Sequence, residues 1–234
     1  MQGWKGNIKK NKLTPLFFFF TAIFISCLIV SNIIAVKLIN IFGLVLPAAI
    51  IIFPITYIFG DILTEVYGYK MARLVIWLGF FSNLIVVVFI KIAEVIPPAQ
   101  FWDAQQAYSR ILGYTPRILT ASFIAYLVGE FLNSFVLSKM KIWTKGRFLW
   151  TRTIGSTLVG QLADSGVFIT IAFIGKLPLL VLFKIIITQW LFKVSYEALV
   201  TPFTYLVVGF LKRKEKIDTF DLDTNFNPLR LFEI

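Results

Sequence analysis

The sequence predicts an all-α integral membrane protein, a bundle of about six transmembrane helices. Three observations carry this reading. First, 58% of the 234 residues are hydrophobic and only 15% are charged, with a mean hydropathy of +0.83. Water-soluble domains sit near half apolar with about a quarter charged, and a soluble chain of this length cannot hide so much apolar surface. Second, apolar runs of about 20 residues, the length that crosses a bilayer as a helix, recur along the chain. Third, basic residues gather in alternate connections between those runs, as topology signals do.

The runs follow in order. The first extends from Pro15 to about Val36 and opens with four phenylalanines after Leu16. It continues well past the 7–15 apolar residues of a cleavable signal peptide, so it reads as the first span. The second runs from about Val45 to Glu65 and contains Pro47 and Pro54, residues able to bend a helix. The third runs from Ala72 to about Ile96, where Pro97 and Pro98 stop it. Residues 97–115 combine Trp102, Tyr108 and Tyr114 with polar groups and read as an interfacial loop or short surface helix. The fourth span runs from Pro116 to about Ser138, and the fifth, the most polar, from Arg152 to about Ile174. The sixth, from Pro178 to Leu211, exceeds one membrane crossing; it tilts, projects beyond the membrane, or begins with a surface helix.

Orientation follows from Lys and Arg. Lys5, Lys9, Lys10 and Lys12 precede the first span, and Lys70 and Arg73 lie between the second and third. Lys139, Lys141, Lys145, Arg147 and Arg152 separate the fourth from the fifth, and Lys212, Arg213, Lys214 and Lys216 follow the sixth. These segments hold most of the 23 basic residues. Positive charge is retained on the cytoplasmic side during insertion, so both termini are expected in the cytoplasm and the chain in the cytoplasmic (inner) membrane. The parts are then a cytoplasmic segment 1–14, a six-helix domain 15–211, and a cytoplasmic tail 212–234. The tail is polar and mixed in charge, and its composition suits partial disorder.

The net charge of +11 does not argue for nucleic acid, because the basic residues sit at the ends of apolar runs. One cysteine, Cys27, and no histidine rule out an internal disulfide and the commonest zinc ligands. No phosphate loop, nucleophile elbow, kinase signature or H-E-x-x-H appears. The sequence gives no sign of an enzyme, a metal or a cofactor.

What stands out are polar groups inside spans, each costing at least ~2.5 kcal/mol near the bilayer centre. Span four carries Tyr126, Glu130 and Asn133 at i, i+4 and i+7, on one helical face. Span five carries Thr157, Gln161 and Asp164 at the same spacing, and span six carries Gln189, Lys193 and Glu197. Span one carries Ser31 and Asn32; span two ends with Asp61, Thr64 and Glu65. Three polar faces predict a polar cavity with a small-molecule substrate. The substrate candidates are Asn32, Tyr126, Glu130, Asn133, Gln161, Asp164, Lys193 and Glu197. For any single residue, helix pinning weighs equally, and Lys193 is able to neutralise Asp164 or Glu197. Asp61 and Glu65 read as gating or structural groups that pair with Lys70 or Arg73. Lys91 and Glu94 read as a surface pair, and glycines 129, 155, 160 and 166 as close-packing positions. A homodimer is compatible with the pattern, as are separate partner subunits docking on the small residues Ala22/Ser26 and Ser31/Ala35.

Phe53-Pro54 and the run from Asp61 through Thr64-Glu65-Val66-Tyr67-Gly68-Tyr69-Lys70 to Ala72-Arg73 resemble the queuosine precursor transporters, a bacterial family also called vitamin uptake transporters. The likeness continues with Thr120-Ala121-Ser122-Phe123 and Ala125-Tyr126 to Gly129, then Ser156-Thr157 through Gly160 to Asp164. Ser31-Asn32, Phe192-Lys193 and the tail Asn225-Phe226-Asn227-Pro228 extend it over nearly the whole chain. The resemblance implies uptake of 7-deazaguanine bases (7-cyano, 7-aminomethyl or queuine) for transfer-RNA modification. It also implies a fold similar to the substrate-binding subunits of energy-coupling-factor transporters. On chemistry, Asp164 or Glu130 would accept the base's paired donors, and Asn32, Gln161, Asn133 or Lys193 would face its carbonyl. Tyr126, Phe168 or Tyr196 would stack on the ring. Two alternatives stand: the substrate-binding subunit of a multi-component transporter, and a membrane scaffold that moves no solute.

Overall fold

The computed structural model describes residues 13–41, 44–113 and 116–230. The lysines expected to fix the N-terminal side (Lys5, Lys9, Lys10, Lys12) and Tyr114 lie outside the described residues. Six helices form the bundle: α1 (Pro15–Ile34), α2 (Phe53–Tyr67), α3 (Tyr69–Val95), α5 (Pro116–Trp143), α6 (Leu149–Phe173) and α7 (Leu179–Glu215). A short helix, α4 (Gln105–Leu112), lies between α3 and α5, as the sequence suggested for a surface element. All of the bundle helices except α2 are long and apolar enough to cross a membrane.

Local chemistry sets the ends. Thr14 caps α1 by accepting from the Phe17 amide at 3.1 Å, with Pro15 in the first turn, where a missing N–H costs nothing. Gly68, at φ +86°, makes the corner between α2 and α3, a conformation that a Cβ would strain. Ile96 turns to an extended conformation before Pro97 and ends α3.

The second span differs from expectation. Helix begins at Phe53, not Val45. Strands β1 (Leu38–Ile41) and β2 (Leu44–Pro47) pair antiparallel, and a 3₁₀ turn, Ala48–Ile51, follows. Hydropathy alone does not separate an apolar strand from an apolar helix. With 15 residues, α2 spans only about 22 Å, yet it is the most enclosed helix, with all but three of its residues buried. Helix α7 is continuous for 37 residues despite Pro202 inside it. At about 55 Å it outruns a hydrocarbon core of about 30 Å, so the surface-helix alternative is not realised.

Packing joins Phe17, Phe20, Phe24 and Leu28 of α1 to Ile58, Ile62 and Val66 of α2, and to Val75 and Leu211. Helices α5 and α6 approach most closely at facing glycines. A Cβ on Gly129 would sit 2.7 Å from Asp164 Cβ, and one on Gly160 would sit 2.7 Å from Asn133 Cβ. Gly155 instead lies under the flexible end of the Met140 side chain. Gly166, expected to serve close packing, has nothing within 4 Å and does not.

The tail corrects another expectation. Residues 217–230 are not loose but form a strap across the α2–α3 corner. Asp221 Oδ2 accepts from the Tyr69 amide at 2.9 Å, capping α3 from 152 residues away. Arg73 donates to the carbonyls of Asn225 (3.1 Å) and Asn227 (2.9 Å), and Trp77 Nε1 donates to that of Pro228 (2.8 Å). Phe226 lies against Tyr69, with the Lys139 ammonium 4.1 Å from its ring centre.

Candidate functional site

The polar faces of α5, α6 and α7 converge on α2. Asn133 Nδ2 donates to Asp61 Oδ1 at 2.6 Å; both side chains are buried. One turn further, Thr64 Oγ1 donates to the Gly60 carbonyl at 2.8 Å and lies 3.1 Å from Ser134 Oγ, pinning α2 to α5. The Gly160–Asn133 contact brings α6 alongside, so Gln161 and Thr157 enter the same region, both buried. Glu197 of α7 is buried too.

The hydrogen-bond ledger of this cluster is one-sided. Asp61 Oδ2, Asn133 Oδ1, Gln161 Oε1, Glu197 Oε1 and Thr157 Oγ1 are buried with no partner among the described residues. Four of the five are pure acceptors. A buried acceptor left unpaired costs about 1–3 kcal/mol, so a set of them marks a place prepared for donors. Glu130 adds a buried carboxylate facing Gly60.

Beside this cluster, Lys193 donates to Asp164 Oδ2 and lies 3.2 Å from Ser165 Oγ. Its ammonium is 5.7 Å from the Tyr57 ring centre, an aromatic contact that sequence reasoning missed. Asp164 is therefore already met by a cation, one of the two pairings the sequence allowed. Tyr126 donates its hydroxyl to the Ile76 carbonyl at 3.0 Å and serves helix packing. Phe168 packs on Phe173, and Tyr196 packs against the core. Asn32 holds a half-buried position in the last turn of α1, next to fully buried Ser31.

Glu65 belongs to a different site, and its partners are not Lys70 or Arg73. Arg152 grips it with two bonds, Nε to Oε2 at 2.7 Å and Nη2 to Oε1 at 2.9 Å. Lys212 reaches Oε1 at 2.5 Å, and Lys141 lies 3.5 Å from the same oxygen. Lys141 also meets Asp218 (2.6 Å) and the Thr219 carbonyl (2.8 Å) of the strap. One carboxylate thus ties α2, α5, α6 and α7 together at their Lys/Arg-rich end. Partial burial raises the pKa of Asp218, but Lys141 and Lys212 outweigh this and hold it below the ordinary carboxylate value. Lys91 and Glu94 form the expected exposed pair at 2.7 Å.

Open space does not coincide with this chemistry. A cavity beside Gly60, Glu130 and Ser134 is about 10 Å³, whereas ligand sites are typically ~300–1,000 Å³. The larger depression, about 280 Å³, lies between α4 and the end of α3 and is lined by apolar groups such as Ile96, Pro98 and Trp102. It lacks the convergent polar groups of a solute site. The space beside Gly60, Glu130 and Ser134 is thus too small for a solute in this structure.

A buried, acceptor-rich cluster inside a bundle of membrane helices is the anatomy of a solute carrier, and comparison with known proteins agrees. Residues 47–207 match the family described as "Putative vitamin uptake transporter". The chain belongs to the vitamin uptake transporter family. It is a multi-pass membrane protein with a small-molecule substrate, a transporter and not an enzyme. It is 31% identical over 188 residues to a "Probable queuosine precursor transporter" of Bacillus subtilis, covering 80% of this chain and 82% of that protein. It is 27% identical over 124 residues to the "Queuosine precursor transporter" of Escherichia coli, covering 52% of each chain. A Haemophilus influenzae relative with the name "Probable queuosine precursor transporter" is 30% identical over 52% of this chain and 49% of its own length. No solved structure matches the chain significantly, so the expected likeness to energy-coupling-factor subunits rests on the family resemblance alone.

Proposed function

We propose that this vitamin uptake transporter carries queuosine precursors, the 7-deazaguanine bases, inward across the cytoplasmic membrane, with both its termini in the cytoplasm. The observation that carries the reading is the set of unpaired buried acceptors: Asp61 Oδ2, Asn133 Oδ1, Gln161 Oε1 and Glu197 Oε1. A deazaguanine is flat and rich in donors, with a ring N–H beside an amino group on one edge and a pyrrole N–H on the other. Carboxylate and amide oxygens satisfy such donors. A solute lacking them would leave the oxygens unpaired, which is where selectivity arises. Lys193, held by Asp164, is the cation available to the base's carbonyl. This reading moves Asp61 from a gating role into the binding group and gives Glu65 a structural one.

Alternating access follows from the two sites together. The Glu65 node and the strap close the Lys/Arg-rich end, the end turned to the cytoplasm by the distribution of positive charge. Release of solute to the cytoplasm then requires that node to part. The test is expression in bacteria that neither make nor import queuosine precursors. Each base is supplied at low concentration and queuosine in transfer RNA is measured; queuine requires a host enzyme able to insert it. Restoration by at least one base is expected. Failure with every base, with the protein present in the membrane, would overturn the proposal.

A further inference from the structure

Only five residues, 144–148, separate α5 from α6, and both helices are long and apolar enough to cross a membrane. A link that short between two spans lies at the membrane surface, whichever way the chain is oriented. The backbone turns back sharply there. Gly146 donates its amide to the Lys141 carbonyl at 2.9 Å, and Arg147 donates its amide to the Thr144 carbonyl at 3.0 Å. Lys145, Gly146 and Phe148 all stand at positive φ (+50°, +74° and +54°). Glycine adopts that region freely, whereas lysine and phenylalanine do so at a steric cost.

Burial within the protein does not offset that cost. Phe148 is 65% exposed, Trp143 at the end of α5 is 77% exposed, and Trp150 in the first turn of α6 is 52% exposed. Lys145 and Arg147 alternate with these rings, are exposed, and enter none of the ion pairs at this end among the described residues. Rings that settle at headgroup depth, interleaved with cations that meet phosphates, suit an anionic lipid surface. The same loop holds the Glu65 node. Arg152, which grips Glu65, also donates to the carbonyls of Arg147 (2.6 Å) and Gly146 (3.2 Å). Phe220 of the strap packs against Gly146, where a Cβ would lie 2.9 Å from its ring.

We propose that the α5–α6 loop is a docking site for the anionic headgroups of membrane phospholipids. Trp143, Phe148 and Trp150 enter the headgroup layer, and Lys145 and Arg147 meet the phosphates. Lipid held there fixes the loop carbonyls that orient Arg152, and so steadies its grip on Glu65 and the strap beside it. This inference does not rest on the deazaguanine reading, and its test needs no solute.

The purified full chain in neutral detergent is melted while phosphatidylglycerol or phosphatidylcholine of matched acyl chains is titrated in, with glycerol phosphate as the arm for a free phosphate. Phosphatidylglycerol should raise Tm saturably by several degrees and should slow proteolysis of the strap. Phosphatidylcholine should have less than half that effect, and glycerol phosphate none. Lys145→Gln together with Arg147→Gln should raise the phosphatidylglycerol concentration at half-effect roughly tenfold or more. Phe148→Gly relieves the positive φ and removes the ring; it should melt no lower than wild type without lipid, yet need more phosphatidylglycerol. Lys91→Gln, in the exposed pair on α3, should leave the response unchanged. Equal shifts with the two lipids, an equal shift with glycerol phosphate, or an unchanged response in the double variant would overturn the docking site. So would a change of oligomeric mass in the double variant, which would mark the face as a contact between copies. A full Tm shift with unaltered cleavage of the strap would overturn the link through Arg152.

Discussion

The crossing of α5 and α6 offers a sharp test, because two glycines of α6 that look alike in the sequence stand in opposite surroundings. At Gly160, an added Cβ would lie 2.7 Å from Asn133 Cβ and 2.9 Å from the Gly129 carbonyl oxygen. Ordinary contact begins at 3.4 Å, so Gly160→Ala must move α5 and α6 apart by about 0.7 Å, and neither opposing atom is the end of a flexible chain. Overpacking of this kind costs about 1–3 kcal/mol, against an intrinsic helix gain of at most about 1 kcal/mol for Gly to Ala. At Gly166 nothing lies within 4 Å, so Gly166→Ala should keep the helix gain with no penalty. Thermal unfolding of the purified protein in detergent reads both. Gly160→Ala should lower Tm by several degrees, and Gly166→Ala should leave it equal or raise it. Since Asn133 is the atom displaced, Gly160→Ala should also weaken uptake. A Gly160→Ala protein that melts at or above wild type would refute the close crossing and the placement of Asn133 on Asp61.

Further outcomes follow from the same geometry. Glu65→Gln leaves buried Arg152 without its anion; removing one partner of a buried ion pair typically costs about 3–5 kcal/mol, and unfolding in detergent should show a loss of that order. Asn133→Leu keeps the side chain's size but withdraws the donor from Asp61, and should abolish precursor uptake while the protein still reaches the membrane. Asp218 has a folded pKa below its unfolded value of about 3.9. Its contribution is therefore present above that value and lost as pH falls through the lower folded pKa. Proteolysis of the strap should rise in strong acid, and Asp218→Asn should show raised cleavage already at neutral pH.

Much of this architecture was legible in the sequence, for identifiable reasons. The ends of α1, α3, α5, α6 and α7 fall within a few residues of the apolar runs, because Pro15, Pro97, Pro116 and Pro178 punctuate them. The polar faces of α5 and α6 were also legible, since i, i+4 spacing fixes a helical face without tertiary knowledge. The start of α2 was not, because residues 45–52 are as apolar in a strand and 3₁₀ turn as in a helix. The partners of Glu65 were not legible either. Nearby Lys70 and Arg73 suited it in sequence, but Arg152 lies 87 residues away and Lys212 lies 147 away. Arg73 instead turns to the tail, whose order comes from backbone carbonyls that composition does not reveal. Asp221 carried no sequence signal at all, because its role depends on reaching the first amide of α3.

The central claim is that this chain by itself moves a deazaguanine base across a bilayer through the Asp61–Asn133 cluster. The most direct measurement is uptake of labelled 7-aminomethyl- and 7-cyano-7-deazaguanine into liposomes containing only the purified protein, wild type beside Asn133→Leu. The account predicts saturable uptake by the wild type and none above empty liposomes by the variant. No uptake by the wild type, or equal uptake by the two proteins, would contradict it.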